Sequence, residues 1–226
     1  MAELTGKELI AYRTARFFKD GDVVNLGIGM PTKCLNYLPD GADIWIDTEN
    51  GAVGLAGPPK EGEEYDPNVV DAGGKTSMLR EGAACFDSFR SFGYIRGGHV
   101  DITVLGAYEV DSEGSLANWM VPGKAAAGMG GAMDLVSGSK VTIVMSTHCD
   151  KAGNPKLVEH TQMPLTGWRC VDYFVSELAV IKYEKDAEGK PYPVLMEVSK
   201  NSSVEEVVSK TGAKLKIADH VGIMEE

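Results

Sequence analysis

The stretch ADIWIDTENGAVG, residues 42–54, decides the fold, because it joins an apolar run to a polar turn that contains a glutamate. Ile44, Trp45 and Ile46 are residue types that favour β-strands, and the glycines that follow mark a turn. Glu49 therefore stands at the carboxyl end of a predicted strand. Open α/β sheets bind their ligands beyond the carboxyl ends of the strands, so this position favours a functional role for Glu49.

The segments around this stretch alternate between the patterns of helices and strands. Apolar spacing predicts a first helix over about residues 6–20, with Thr5 and Glu8 in the form of a capping box. DVVNLGIGMPT (22–32) predicts a buried strand and a glycine turn, followed by a helix from about residue 32 to near 39. Four further strand segments are HVDITVLGAYEVD (99–111), KVTIVMST (140–147), VDYFV (171–175) and LAVIKYE (178–184). Several are apolar enough for a sheet covered on both faces, so we expect a layered α/β fold in a single domain, residues 1–226.

A long loop, a glycine-rich turn and a C-terminal helix complete the predicted chain. Residues 57–75 are rich in glycine, proline and acids and predict an irregular loop, which we expect to cover the Glu49 end of the sheet. GMGGAMDL (128–135) places glycines before a predicted helix, where they either expose backbone donors to an anion or form only a tight turn. Ser203 and Glu206 form a second capping-box pattern, and Gly212 predicts the end of that helix.

Composition excludes several classes of function. The 226 residues contain 22 lysines and arginines against 33 acids, and a net charge of -11 disfavours binding to nucleic acid or an anionic membrane. No apolar run approaches the roughly 20 residues that cross a bilayer, and the charged N-terminal segment lacks the core of a secretory signal. The cysteines are scattered without the close pairs of a zinc site or the density of a disulfide scaffold: Cys34, Cys85, Cys149 and Cys170. We expect a soluble cytoplasmic protein without a metal site.

The motifs of the whole chain identify a family. DTENGAVG (47–54) resembles the Ser-Glu-Asn-Gly signature of the β subunit in class I, 3-oxoacid-type CoA-transferases. Further blocks resemble that family in the same order: NLGIGMPT (25–32), DAGGKT (71–76), SFGYIRGGHVDITVLGAYEV (91–110), LANWMVPGK (116–124), GMGGAMDLVSG (128–138) and MPLTG (163–167). The resemblance implies a largely parallel sheet flanked by helices, as in CoA-transferases and sugar-phosphate isomerases. It also implies an α subunit as partner in an αβ heteromer, with acyl-CoA and a short-chain carboxylate as substrates.

The same resemblance assigns residues to the reaction. Glu49 is the expected nucleophile, because a carboxylate can attack a thioester carbonyl and then hold CoA as a glutamyl thioester. The CoA thioester is thus a substrate, and no tightly bound cofactor is expected. Asn25 and Lys75 match positions that line the active site, although a turn-forming asparagine and a solvated loop lysine remain alternatives. Gly130 and Gly131 match positions that contact acyl-CoA.

Three features leave alternatives open. Asn50 either orients the neighbouring carboxylate or accepts a left-handed turn conformation. Thr48, Asp47 and Ala52 stand where the family usually has serine, a glutamine-like residue and a larger aliphatic, so the acid that is exchanged is not defined. An acyl-CoA hydrolase on the same scaffold is one rival function, and a ligand sensor or sugar-phosphate isomerase is another. Glu49 within Glu-Asn-Gly argues against the second.

Overall fold

A computed structural model describes residues 4–126 and 128–225. The strands are β1 (Val23–Leu26), β2 (Trp45–Thr48), β3 (Ala52–Leu55), β4 (Leu79–Cys85), β5 (Ile102–Gly106), β6 (Glu109–Asp111), β7 (Leu116–Ala117), β8 (Val141–Met145), β9 (Leu157–Val158), β10 (Tyr173–Val175), β11 (Ala179–Lys185), β12 (Pro191–Val198) and β13 (Lys216–Ile223). The helices are α1 (Gly6–Ala15), α2 (Ser88–Arg96), α3 (Ala132–Gly138) and α4 (Val204–Ser209), with a 3-10 helix over Pro31–Tyr37.

The main sheet has a parallel centre and antiparallel edges. Within the described residues its ten strands run in the order β13-β12-β11-β10-β8-β5-β1-β2-β3-β4. The five neighbouring strands β2, β1, β5, β8 and β10 are parallel to one another. A separate three-stranded sheet has the order β7-β6-β9. The fold is therefore α/β with a large, mostly parallel sheet, as expected, and the carboxyl ends of its central strands share one edge.

Two apolar cores cover the two faces of the main sheet. Successive residues of one strand enter different cores, as Ile143 and Val144 do in β8. Helix α1 contributes Leu9 and Ile10 to one core, and helices α2 and α3 contribute Ile95 and Leu135 to the other. Burial on both faces explains why the central strands are nearly continuous apolar runs.

The helix boundaries correct several expectations. Helix α1 ends at Ala15 rather than near residue 20, because the N–H groups of Phe17 and Phe18 turn to carbonyls three residues back. Thr5 makes no side-chain cap, so the first capping box is wrong. The helix expected after residue 32 is a 3-10 helix that begins at Pro31. Ser203 does cap α4, accepting from the Glu206 N–H at 3.2 Å.

The C-terminal boundary of α4 also differs from the expectation. The helix ends at Ser209, and Gly212 is not among the residues with positive φ, so it is not the left-handed cap that was expected. The Gly212 N–H instead donates to the carbonyl of Leu157 at 2.8 Å, in β9. A long-range hydrogen bond, rather than a local helix cap, accounts for this glycine. The irregular loop expected over residues 57–75 is present, with no strand or helix before β4.

Gly51, in the turn between β2 and β3, gives the first testable expectation. Its φ is +126°, and an added Cβ would lie 2.2 Å from the carbonyl oxygen of Phe86. We expect Gly51→Ala to lower the free energy of unfolding by about 2–4 kcal/mol, through backbone strain and the steric clash. Urea unfolding measures this change. Gly93→Ala is the matched control because its Cβ would meet open space within α2; an equal effect of the two substitutions would contradict the expectation.

Candidate active site

Glu49 occupies the turn that joins β2 to β3. The Gly51 N–H donates to the carbonyl of Thr48 at 3.0 Å, which closes the turn. The hydroxyl of Ser91, in α2, donates to the main-chain carbonyl of Glu49 at 2.8 Å. Helix α2 therefore holds the backbone on which the carboxylate is mounted. The side chain is half-buried and stands at the carboxyl end of β2, as the sequence predicted.

The amide of Asn25 links two carboxyl groups. Asn25 lies beside Asp47 in the parallel register of β1 and β2, and both are almost fully buried. Its Nδ2 donates to Oδ2 of Asp47 at 2.8 Å and lies 3.4 Å from Oε2 of Glu49. A buried amide that reaches both carboxyls fixes their relative positions. Asn25 thus lies beside the proposed nucleophile, as expected.

A glycine turn packs against the side chain of Glu49. A Cβ added at Gly131 would lie 3.0 Å from Cγ of Glu49, so a larger residue here would displace that side chain. Gly130, with φ +56°, precedes it, and helix α3 begins at the next residue, Ala132. The structure therefore brings Gly130 and Gly131 to Glu49. Helix α3 has only seven residues, so close backbone approach is a stronger reason for this turn than a helix dipole.

These residues surround one cavity of about 480 Å³. Its volume is within the range of small-molecule sites. The polar residues and glycines that line it are Asn25, Gly27, Glu49, Gly106, Tyr108, Asn118, Gly128, Gly130 and Gly131. Apolar side chains, among them Leu105 and Leu135, complete the wall. The cavity can present a carboxylate, an amide and close backbone to one bound carbonyl.

Lys75 and Asn50 lie away from this cavity. Lys75 is exposed and lines a neighbouring cavity of about 410 Å³. The wall of this cavity is mainly apolar and includes Leu35 of the 3-10 helix and Leu38, the residue that follows the helix. The amide of Asn50 donates to the carbonyl of Val70 at 2.9 Å, which ties the turn to the loop. Its Oδ1 accepts from the Thr48 hydroxyl at 2.7 Å.

Asn50 also lacks the conformation that one interpretation required. Arg169 is the non-glycine residue with positive φ in the described chain, so Asn50 does not occupy the left-handed region. The structure therefore supports neither interpretation of Asn50. Its side-chain amide binds the loop at Val70 and does not contact the carboxylate of Glu49. Roles for Asn50 and Lys75 in substrate binding stay predictions.

Sequence reasoning missed two groups of residues near Glu49. Tyr108, Asn118 and Trp119 line the cavity, and none of them was among the residues that the sequence assigned to the site. Asn118 accepts from the Thr166 hydroxyl at 2.6 Å, so the motif at residues 163–167 supports it. Asp47 was noted only as a departure from the family. The signal that would have indicated a site is the recurrence of these motifs at strand ends, which places them at the same edge of the sheet.

Burial sets the charge of two titratable groups. Burial raises the pKa of Asp47 to about 6, with the negative charge of Glu49 adding to it, while the hydrogen bond from Asn25 opposes the change. Burial lowers the pKa of His148 to about 4. Because the ring nitrogens of His148 contact the hydroxyls of Ser176 and Thr211, each at 2.9 Å, this histidine is neutral and structural. Asp47 is therefore a buried carboxyl group with a raised pKa beside Glu49.

Neither a metal-binding cluster nor a membrane span occurs in the described part of the chain. No group of three or more histidine, cysteine or acidic residues that could hold a metal ion is found in residues 4–126 and 128–225. Over the same residues, no helix combines the length and apolar character needed to cross a membrane.

Sequence comparisons place the chain beside known enzymes. Residues 7–210 match the family model described as Coenzyme A transferase. The β subunit of the acetate CoA-transferase of Haemophilus influenzae is 47% identical over 216 residues, which are 96% of this chain and 94% of that protein. One subunit of the probable succinyl-CoA:3-ketoacid coenzyme A transferase of Bacillus subtilis is 43% identical, over 92% of this chain and 94% of that protein.

Solved structures show the same fold at lower identity. The acyl-CoA transferase of Escherichia coli O157:H7 aligns as apoenzyme with a TM-score of 0.74 and 20% identity, over 99% of this chain. Its thioester complex with CoA aligns with a TM-score of 0.70 and 19% identity. This chain spans 44% of the apoenzyme chain, less than half its length. With a family model matched over most of its residues and relatives above 40% identity, the chain belongs to the coenzyme A transferase family.

Proposed function

We propose that Glu49 is the nucleophile through which this member of the CoA-transferase family moves CoA from an acyl-CoA to a carboxylic acid. The observation that carries the proposal is the position of its carboxylate, with the Asn25 amide 3.4 Å from one oxygen and Gly131 against its Cγ. A glutamate that served only to stabilise the turn would not need a glycine packed against its side chain. The cavity beside it has room for a reacting carbonyl.

The exchange needs no group beyond the two substrates and Glu49. A carboxylate oxygen of Glu49 attacks the thioester carbonyl, the carbon–sulfur bond breaks, and CoA leaves as a thiolate from an acyl-glutamyl anhydride. The thiolate attacks the glutamyl carbonyl, the anhydride carbon–oxygen bond breaks, and the acyl group leaves as a carboxylate. The acceptor carboxylate then reverses both steps. No net proton or electron is exchanged, so the CoA thioester is a substrate and no bound cofactor is required.

The surrounding groups would lower the barrier of each attack. Every attack creates a negative oxygen on a tetrahedral carbon, and fixed N–H donors that face this oxygen stabilise it by several kcal/mol. The Asn25 amide, 3.4 Å from a carboxylate oxygen of Glu49, would be one such donor, and the backbone of the 130–131 turn, with Gly131 against the Glu49 side chain, would offer others. They stand on a buried strand and a packed turn, so little reorganisation accompanies the attack.

The names of the relatives support a proposal for the partner and the substrates. Relatives of the same length are named as single subunits of CoA-transferases, and a longer acyl-CoA transferase contains this fold in less than half of its chain. An α subunit therefore completes the enzyme as an αβ-based heteromer, which we place in the cytoplasm. Acetate and 3-ketoacid relatives are about equally similar, so short-chain carboxylic acids are the substrate class.

We expect the isolated chain to transfer little CoA and the αβ complex to transfer it fully, because the α subunit supplies part of the site. Purified chain and complex are each given a panel of acyl-CoA donors and short-chain acids, and CoA release is followed with and without acceptor. Full turnover by the isolated chain, verified to be free of other subunits, would refute the requirement for an α subunit. Steady CoA release that is independent of the acceptor would instead indicate the rival hydrolase.

A further inference from the structure

Asp47 is a buried carboxyl group that the exchange chemistry leaves without a role. The residue is 2% exposed, and its Oδ2 accepts from the Asn25 amide at 2.8 Å. Its Oδ1 is buried and has no hydrogen-bond partner among the described residues. A buried polar atom without a partner is costly, so such an atom beside a reactive group calls for an explanation. The same Asn25 amide reaches Glu49, which connects this atom to the proposed nucleophile.

The groups around Asp47 provide no compensating positive charge. Glu49, two residues further along the chain, is a second acid. The neighbouring strand β3 places the apolar residue Val53 beside Asp47. From helix α2, Tyr94 faces it: burial raises the pKa of Tyr94, and the charge of Asp47 raises it further. The ring of His99 stacks on that of Tyr94, with centroids 5.0 Å apart.

The basic residues of the loop and of β4 that line the same cavity as Asp47 form no ion pair with it in the described chain. Asp71 accepts from the Lys75 backbone N–H at 2.9 Å, and both line the cavity that Asp47 borders. Arg80 lines the same cavity but pairs with Asp43 at 2.5 Å. Within the residues that the structure describes, Asp47 takes part in no ion pair. Among the described residues, the Asn25 amide is therefore the hydrogen-bond donor that the Asp47 carboxyl group has.

We infer that Asp47 is a positioning residue that acts through the Asn25 amide. It controls the negative charge that an attacking anion meets at the side-chain carbonyl of Glu49 in the covalent intermediates. This inference rests on the function proposed above. In one step of each half-reaction an anion must approach that carbonyl, first the CoA thiolate and then the acceptor carboxylate. A neutral Asp47 leaves the Asn25 amide free to stabilise the resulting oxyanion. An ionised Asp47 attracts the amide and repels the incoming anion.

The sign of the pH dependence follows from the environment of Asp47. Its pKa is raised from the usual 3.8 to about 6 by burial, so the group is neutral below that pH and charged above it. Glu49 carries no charge in the glutamyl thioester, so in that state burial is what raises the pKa of Asp47. Transfer to the acceptor therefore slows as the pH rises through this pKa.

The test is the pH profile of kcat/KM for the acceptor acid, measured with the assembled αβ enzyme from about pH 5 to 9. We expect the wild-type kcat/KM to fall on the order of tenfold as the pH rises through the pKa of Asp47, which gives the profile a descending limb. Asp47→Asn keeps a hydrogen-bond acceptor for Asn25 but cannot ionise, so its profile loses the limb. Asp47→Gln is the second variant, in case the first does not fold. Asp47→Ala removes the acceptor as well and lowers kcat at every pH.

Asp186→Asn is the matched control, since Asp186 lies in the exposed turn between β11 and β12 and its side chain accepts the backbone N–H groups of Glu188 and Lys190 there. It retains the wild-type limb. Titration of the acceptor acid is common to all the enzymes and cancels in the comparison. An unchanged limb in both amide variants would overturn the role of Asp47, as would a wild-type profile without a limb. Failure of the proposed function has a different signature, because the wild-type enzyme would then form no glutamyl thioester at any pH.

Discussion

Glu49→Gln lowers CoA transfer on the order of 10⁴-fold or more, because a neutral amide cannot attack the thioester and cannot hold CoA as a thioester. Glutamine has nearly the same shape, so the turn, the Ser91 hydrogen bond to the backbone and the cavity should persist. The measurement is kcat/KM for the αβ complex with a saturating acceptor acid. Unfolding by urea, which should be unchanged, checks the fold.

The control for this substitution separates the charge from its position. Glu49→Asp keeps a carboxylate but withdraws it by one methylene from the Asn25 amide, and we expect activity between that of the wild-type enzyme and Glu49→Gln. Mass spectrometry must show that the glutamine has not been hydrolysed back to glutamate. Wild-type turnover by a verified Glu49→Gln protein would assign the nucleophile to another residue.

Gly131→Ala carries the second largest expected effect, a fall of about 10²-fold in kcat/KM with the fold retained. The added methyl would lie 3.0 Å from Cγ of Glu49 and 3.4 Å from Cε1 of Phe92, so the catalytic side chain must move. Gly131 does not have a positive φ, and the substitution therefore adds contact rather than backbone strain. Steady-state kinetics of the αβ complex measure the effect.

Gly93→Ala serves as the control for this steric account. Its Cβ would have no heavy atom within 4 Å, and it lies in α2, the helix that holds the Glu49 backbone. We expect near wild-type kinetics, with stability raised by up to about 1 kcal/mol through helix propensity. If Gly131→Ala were as active as Gly93→Ala, the packing of the glycine turn against Glu49 would have no catalytic consequence.

The central strands and the place of Glu49 were predictable from the sequence because both depend on local composition. Segments such as KVTIVMST are β-branched and apolar, which suits strands buried on two faces. The turn after β2 is marked by Gly51, and the strand-end position of Glu49 follows from it. The parallel order of the strands came from the family resemblance, since periodicity does not show which strands are neighbours.

Long-range partners explain where the sequence reasoning failed. Glu8 does not complete the expected capping box, because its carboxylate accepts from Tyr37, 29 residues away, at 2.7 Å and also pairs with Lys33. Asn50 likewise bonds to Val70, 20 residues away, rather than to its neighbour Glu49. Competition between local and distant partners is decided by the packed fold, which a sequence pattern does not contain.

Asp47 shows the same limit at the site itself. Its identity as a departure from the family was visible in the sequence, but its significance depends on burial and on Asn25, 22 residues away. Neither strand alone indicates that one amide lies between two carboxyls. The parallel register of β1 and β2 creates that arrangement.

The central claim is that Glu49 forms the covalent intermediate, and trapping with borohydride tests it most directly. The αβ complex is mixed with acyl-CoA without acceptor acid, reduced, digested and analysed by mass spectrometry. Borohydride reduces a thioester to an alcohol, so we expect the peptide that contains Glu49 to carry a side-chain alcohol at that residue and the enzyme to be inactivated. Reduction at a different residue, or an unmodified Glu49 in an inactivated enzyme, would contradict the assignment.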